Sequence, residues 1–267
     1  MPETRPAQRA VIDDAQLKRA RRAERADTVL DELWYYAVTY ALIAVNVVVF
    51  AVEVFLSGAW STGWRLDIPT ATLVDMGAMY APLIQGPADL WRFVTPMFLH
   101  LDVMHLAFNM VALFSVGCLL EDVLGRGRLV LLYFVGGITG NAVSYAADML
   151  SVASGAASGF TVSAGASTSV FALFVAVALL GLLMRGERGI YREYSRGMLG
   201  VIAANVLYTF LVPGISIGGH LGGAVGGIIA MFMLPSADLR GPAALRIVVA
   251  VAWAAALAAM LAWAGIL

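Results

Sequence analysis

Seven long runs of apolar residues constrain the fold of this chain more than any other feature of its sequence. A helix needs about 20 apolar residues to cross the hydrocarbon core of a membrane. Backbone polar groups in lipid must be satisfied within the segment, so helices are the expected element. We therefore predict an all-α polytopic membrane protein. Its spans are predicted, approximately, at Tyr36–Phe55, Met97–Leu120, Leu129–Leu150, Ser167–Met184, Gly197–Val212, Ser216–Leu234 and Ala244–Ala264.

The composition agrees with a chain that lies mostly in lipid. Hydrophobic residues make up 61% of the 267 positions and charged residues 13%, whereas a soluble domain is about 45–50% apolar and about 25% charged. The net charge of -1 provides no field that would attract nucleic acid, so no nucleic-acid partner is expected. The single cysteine, Cys118, is expected to be a buried structural thiol.

The basic residues predict the orientation of the chain. They are concentrated in the N-terminal arm and in the connections after the second, fourth and sixth spans, while the opposite side holds only Arg65 and Arg92. Because cytoplasmic loops carry the excess of basic residues, the N-terminus is predicted to be cytoplasmic and the C-terminus external. The first apolar run is expected to remain as an anchor, and the acidic residues of the arm argue against a transit peptide. A bacterial plasma membrane is the expected location.

The first external connection, from about residue 56 to 96, is long and rather apolar. Loops of this length usually have structure of their own or carry function. We expect this one to fold and to lie on or partly within the outer leaflet.

Polar residues that could carry chemistry are concentrated where the second, fourth and sixth spans begin. His100, His105 and His220 all lie in or at the mouth of a span, and the fourth span opens with SAGASTS at 163–169. All three spans enter from the outer face in the predicted topology. Because ionisable groups in spans are costly and tend to mark function, we predict one water-accessible site in the outer half of the membrane.

The spacing of these residues predicts a serine hydrolase. Gly219, Gly223 and Gly227 form a stripe of small residues that lets a neighbouring helix approach closely. Packing of the fourth span on this stripe would bring Ser167 within reach of His220, a suitable base for activating the hydroxyl. The connection before His220 contains no Asp or Glu, so we predict a Ser–His dyad rather than a triad.

Donors for a developing oxyanion are predicted on the second span. His105 and Asn109 are four residues apart, so they share one face of a helix, and both side chains can donate hydrogen bonds. The backbone N–H groups that open the fourth span would add to them. The hydroxyls of Ser163, Thr168 and Ser169 are instead expected to bond to the preceding turn.

At these motifs the chain resembles the rhomboid family of intramembrane serine proteases, over about residues 40–235. Each motif alone is weak, whereas the combination in this order is specific. The motifs are WRFVTPMFLHLDVMHLAFNMVALFSVG from residue 91, LEDVLGRGRLVLLYFVGGITGN from 120, GASTS from 165 and GHLGGAVGG from 219.

The resemblance implies an architecture and a set of site residues. A rhomboid-like six-helix catalytic domain would occupy 34–236, between a cytoplasmic basic arm at 1–33 and a seventh transmembrane helix at 237–267. Ser167 would be the nucleophile and His220 its base. The oxyanion would be bound by His105 and Asn109, helped by the Ser167 amide.

Further positions follow from the same resemblance. Gly165 matches the first glycine of the nucleophile motif, and Phe171 takes the position where an aromatic ring packs near the catalytic histidine. Trp91 and Arg92 match a pair that the family uses structurally, although they could also be only an interfacial anchor. Thr168 departs from the family, which usually has glycine there, and could narrow the pocket or shift the serine.

The implied function is an intramembrane serine endopeptidase that cleaves transmembrane segments of single-span membrane proteins near the outer face. Membrane lipids would be its surroundings, and neither a cofactor nor a metal is implied. The departure at Thr168 leaves open a rhomboid-like pseudoprotease that binds membrane clients without cutting them.

Two other classes of function fit the sequence less well. A transporter usually has mid-membrane carboxylates and repeated halves, whereas Glu53 and Glu121 lie near span ends and no repeat is evident. A zinc site needs about three ligands. His100 and His105 would be separated by more than a helical turn, with only Asp102 as a nearby carboxylate.

Overall fold

The computed structural model describes residues 31–61, 63–156, 159–183, 193, 196–197, 200, 202–207, 216–233 and 242–267. These residues are mainly helical, and their only β-type pairing is an isolated bridge between Met79 and Ser163. The α-helices are α1 (Ala37–Ser57), α2 (Thr70–Asp75), α3 (Val103–Leu124), α4 (Arg126–Ala153), α5 (Ser167–Leu183), α6 (Ile217–Met233) and α7 (Ala243–Trp263). The predicted all-α class is confirmed.

Four of these helices, α1, α3, α4 and α7, are long and apolar enough to cross a membrane, and α5 and α6 are shorter apolar helices. The chain is therefore a multi-pass membrane protein. Of the predicted fifth span, residues 202–207 form one described helical stretch. Much of the remainder of that span, and the arm up to residue 30, lies outside the described residues. The count of seven spans and their orientation stay predictions.

The predicted start of the second span was wrong by six residues. Thr95–Phe98 forms a 3-10 helix, and α3 begins only at Val103. Asp102 is the N-cap, because its Oδ1 accepts the His105 backbone N–H at 2.8 Å. A side-chain oxygen at this position satisfies a backbone donor that the helix leaves unpaired. His100 therefore lies in the turn before α3. Farther along α3, Cys118 is only partly buried.

Helices α4, α5 and α6 form the centre of the bundle, and small residues let their backbones touch. A β-carbon on Gly223 of α6 would lie 2.1 Å from the Thr168 carbonyl oxygen of α5. One on Gly227 would lie 2.5 Å from the Ala172 carbonyl oxygen, and one on Gly136 of α4 would lie 2.1 Å from the Ala172 Cβ. Any larger residue at these positions would push the helices apart.

The connection between α1 and α3 folds as expected, through α2 and four 3-10 segments. Arg92 is buried, and its Nη1 donates to the Val74 carbonyl at 2.9 Å and to the Ala78 carbonyl at 3.4 Å. Its guanidinium also lies 4.6 Å from the centre of the Trp91 ring. These contacts tie the loop together, so Arg92 is more than an interfacial anchor.

Two peripheral contacts complete the frame. The buried carboxylate of Glu121, near the C-terminal end of α3, accepts the backbone N–H groups of Val38 and Thr39 at 2.9 and 2.8 Å and so caps α1. At the outside of the bundle, the Trp253 indole of α7 donates to Thr139 Oγ1 of α4 at 2.9 Å.

Candidate active site

Ser167 and His220 meet where α5 and α6 begin. Ser167 is the first residue of α5, and its Oγ lies 2.6 Å from His220 Nε2. The start of α6 is fixed by Ser216, whose Oγ accepts the Gly219 N–H at 3.0 Å and lies 2.8 Å from Ser144 Oγ of α4. The histidine is therefore held relative to both neighbouring helices.

Phe171 lies one helical turn after Ser167 and stacks on the imidazole of His220. The two ring centroids are 4.3 Å apart and the rings are inclined by 15°. His220 itself is buried, at 5% exposure. The aromatic ring therefore covers one face of the imidazole and restricts its orientation toward the serine.

His105 of α3 approaches the same serine from a third helix. Its Nδ1 accepts the backbone N–H of Leu101 at 3.4 Å. In a neutral imidazole one nitrogen donates and the other accepts, so this bond assigns the proton to Nε2. The nitrogen that faces the site is therefore a donor.

Gly165 provides the space between His105 and Ser167. Its φ of +136° belongs to a region that residues with a β-carbon rarely adopt. A β-carbon there would lie 2.9 Å from His105 Nε2 and 3.4 Å from Ser167 Oγ. The missing side chain thus leaves room for a reacting group that would contact both the nucleophile and a donor. The Gly165 N–H is bound to the Pro96 carbonyl at 2.8 Å.

Asn109 is buried one turn after His105, and its Nδ2 donates to the His105 carbonyl at 2.9 Å. An amide has two N–H donors, so one is used within the helix. Asn109 also lines a small cavity of about 10 Å³, which is close to the space that one water molecule needs. The other lining residues are His105, Phe108, Ser167, Phe171, Asn205 and His220.

Asn205 is a polar residue that lines this cavity and that the sequence analysis did not predict. It lies in the helical stretch 202–207, within the predicted fifth span, and is partly buried. An amide inside an otherwise apolar span was the available signal, since polar residues in spans tend to mark a site.

Thr168 points away from the serine. A β-carbon on Gly140 of α4 would lie 2.7 Å from Thr168 Cβ, and one on Gly219 of α6 would lie 3.2 Å from Thr168 Cγ2. The side chain therefore fills space between helices. The expected bonds to the preceding turn are wrong for two hydroxyls: Thr168 Oγ1 and Ser169 Oγ are buried without a hydrogen-bond partner among the described residues.

Asp102 carries charge close to the site. Burial by itself would raise the pKa of its carboxyl, but the His105 N–H and the Arg65 guanidinium outweigh burial and hold that pKa below its usual value. Arg65 Nη2 lies 2.6 Å from Asp102 Oδ2. The cap of α3 is therefore ionised at neutral pH. His100 and His105 are not separated by a helical turn as predicted, because α3 begins only at Val103, and their rings are in edge contact with centroids 5.2 Å apart.

Comparison with known proteins identifies relatives. A family model described as the rhomboid domain matches residues 87–237. The rhomboid protease GluP of Bacillus subtilis is 34% identical over 218 residues, which are 81% of this chain and 39% of the relative. The putative rhomboid protease YdcA of the same organism is 35% identical over 143 residues, 54% of this chain and 66% of the relative.

A more distant relative matches more of its own length. Rhomboid-like protease 3 of Toxoplasma gondii is 28% identical over 207 residues, which are 76% of this chain and 71% of that protein. Against the two bacterial relatives the aligned part of this chain spans only 39% and 66% of their lengths. The family model, by contrast, covers more than half of the chain.

Proposed function

Because this chain belongs to the rhomboid family, we propose that it is an intramembrane serine endopeptidase that cleaves transmembrane segments of membrane proteins. Ser167 is the nucleophile and His220 the base. The observation that supports this most is the 2.6 Å contact between Ser167 Oγ and His220 Nε2. The names of the relatives, which are rhomboid proteases, agree with it.

The first chemical step is attack of the serine on a peptide carbonyl. His220 Nε2 accepts the hydroxyl proton while Ser167 Oγ forms a bond to the carbonyl carbon. The resulting oxyanion is stabilised by His105 Nε2–H, the Ser167 backbone N–H and the Asn109 amide. Donors that are already oriented cost no reorganisation when the charge develops.

The second step releases the products. The imidazolium of His220 gives its proton to the leaving amine, and an acyl-enzyme remains on Ser167. The same imidazole then takes a proton from water, which attacks the ester carbon. The acyl–Oγ bond breaks, the carboxylic acid leaves, and the imidazolium returns its proton to Ser167 Oγ. The small cavity beside Asn109 is a suitable place for that water.

We propose single-span membrane proteins as substrates and membrane lipids as the surroundings. A helical peptide bond is shielded by its own turn, so the substrate must unwind locally before attack. With a cytoplasmic N-terminus, the site lies toward the outer face of a bacterial plasma membrane. The basic arm 1–33, the catalytic domain 34–236 and the seventh helix 237–267 are the proposed units.

The pseudoprotease alternative depended on Thr168 disturbing the nucleophile. The Thr168 side chain packs toward Gly140 and Gly219, away from the space that borders His105 and Ser167. No described feature therefore favours a client-binding protein without activity over an enzyme.

Fluorophosphonate labelling of the purified protein in detergent tests the proposal. We expect the wild type to be labelled and Ser167→Ala and His220→Ala to remain unlabelled. Ser169→Ala is the matched control, because this serine lies in the same first turn of α5 but is fully buried; the variant should label like the wild type. A folded wild type that neither labels nor cuts a single-span substrate in liposomes would contradict the proposal.

A further inference from the structure

The carboxyl group of Glu53 is buried next to the turn that precedes His105, and it has no role in the mechanism described above. Glu53 of α1 has no exposed surface. Its two carboxylate oxygens lie 3.1 and 3.2 Å from the backbone nitrogen of His100. Carboxylates are costly to place inside a membrane protein and rarely lack a purpose there.

The residues that follow this contact hold His105. The His100 amide binds Glu53, the next amide, Leu101 N–H, binds His105 Nδ1, and Asp102 accepts the His105 backbone N–H. Three consecutive residues thus link the buried carboxylate to the imidazole. We call residues 99–102 the histidine turn.

The histidine turn is held from two sides. On its outer side, Ile68 N–H donates to the Leu101 carbonyl at 2.8 Å and Arg65 pairs with Asp102 at 2.6 Å. On its buried side, the Glu53 carboxyl accepts the His100 backbone N–H. The His100 side chain also packs edge-on against His105, and neither of its ring nitrogens has a hydrogen-bond partner among the described residues.

We propose that Glu53 is a positioning residue for the oxyanion donor. By fixing the His100 amide, it keeps Leu101 N–H on His105 Nδ1, and the proton therefore stays on Nε2, where it faces the space beside Ser167. This inference deepens the proposed function and rests on it. Without the carboxylate, the turn can rotate and the imidazole can exchange tautomers.

Three substitutions separate this role from general stability. Glu53→Gln keeps an oxygen that can accept the His100 N–H. Glu53→Met has a similar length but no acceptor, and Glu53→Asp keeps a carboxyl group on a side chain one methylene shorter. Glu121→Met is the matched control, because Glu121 is also buried and accepts backbone N–H groups, at the opposite end of α3.

The readouts are kcat and KM for a single-span substrate, together with nitrogen-15 NMR of labelled histidine in detergent. The chain has only three histidines, so each imidazole can be followed. We expect Glu53→Met and Glu53→Asp to lower kcat on the order of tenfold to a hundredfold with little change in KM, the size of effect that small misplacement causes. His105 should change from the Nε2–H form to a tautomer mixture. Glu53→Gln should retain the Nε2–H form.

The control separates the outcomes. Glu121→Met should lower the unfolding temperature but leave the His105 signals unchanged. The inference is overturned if Glu53→Met and Glu53→Asp fold with the wild-type tautomer, or if Glu121→Met shifts His105 equally. If Glu53→Met does not fold, the test is whether the His105 tautomer and kcat differ between Glu53→Asp and Glu53→Gln. A wild type without activity whose His105 signals still respond to Glu53 would overturn the proposed function and not the positioning.

Discussion

The methyl group of Thr168 occupies space that the absence of a side chain at Gly219 leaves free. A β-carbon on Gly219 would lie 3.2 Å from Thr168 Cγ2 and 3.0 Å from Ser216 Oγ. Such distances are too short for ordinary packing unless a neighbour moves. A β-carbon at position 219 would therefore press against the Thr168 methyl group as well as against Ser216.

A double-mutant cycle on this pair should show coupling. Gly219→Ala alone should destabilise the protein by about 1–3 kcal/mol through overpacking. The same change in a Thr168→Gly background should cost less, with a coupling energy of about 0.5–3 kcal/mol. Unfolding in detergent measures the stability, and cleavage should persist in Thr168→Gly. Additive effects would mean that the two residues pack independently.

Gly165→Ala should abolish cleavage and labelling. The added β-carbon would lie 2.8 Å from His105 Cε1, and the φ of +136° would add strain of about 1–3 kcal/mol. The control is Gly155→Ala, because Gly155 also has a positive φ, +73°, but its β-carbon would meet nothing within 4 Å. Wild-type labelling of the Gly165 variant would exclude a role for this space in the reaction.

Asn109→Ala should lower kcat roughly tenfold to a thousandfold, in line with losses measured for single oxyanion donors. The matched control is Asn46→Ala. Asn46 of α1 is likewise buried and donates to the carbonyl four residues earlier, that of Leu42, at 2.8 Å. If both variants lose the same activity, Asn109 acts only through packing and helix bonding.

The sequence predicted the parts of this fold that depend on local pattern. The lengths of the apolar runs predicted the bounds of α1 and of α4 to α7 to within a few residues. The stripe of Gly219, Gly223 and Gly227 correctly indicated a helix at close range, because the absence of side chains has a direct geometric consequence.

The features that the sequence did not predict depend on contacts between distant residues or on a helix cap. Hydropathy placed the start of the second span at Met97 because several residues before α3 are apolar, whereas the helix begins only after the N-cap at Asp102. The bond from Glu53 to the His100 amide joins residues 47 positions apart. No periodicity in the sequence reports such a pairing.

Acidification should weaken the site through Asp102. Its pKa is lower in the folded protein than in the unfolded chain, so its contribution to stability is present at neutral pH and is lost as the pH falls through the folded value, below about pH 4. Protonation removes the charge that pairs with Arg65 and weakens the cap that holds His105. Unfolding temperature and labelling should therefore fall together in this range.

Asp102→Asn separates this effect from the titration of other acids. Asparagine can still accept the His105 N–H as an N-cap, but it does not titrate and does not form an ion pair with Arg65. The variant should be less stable than the wild type at neutral pH, and the difference should shrink as the pH falls, because protonation brings the wild type to the same uncharged state. A difference that stays constant with pH would mean that the Asp102 carboxyl contributes no more when charged than when neutral.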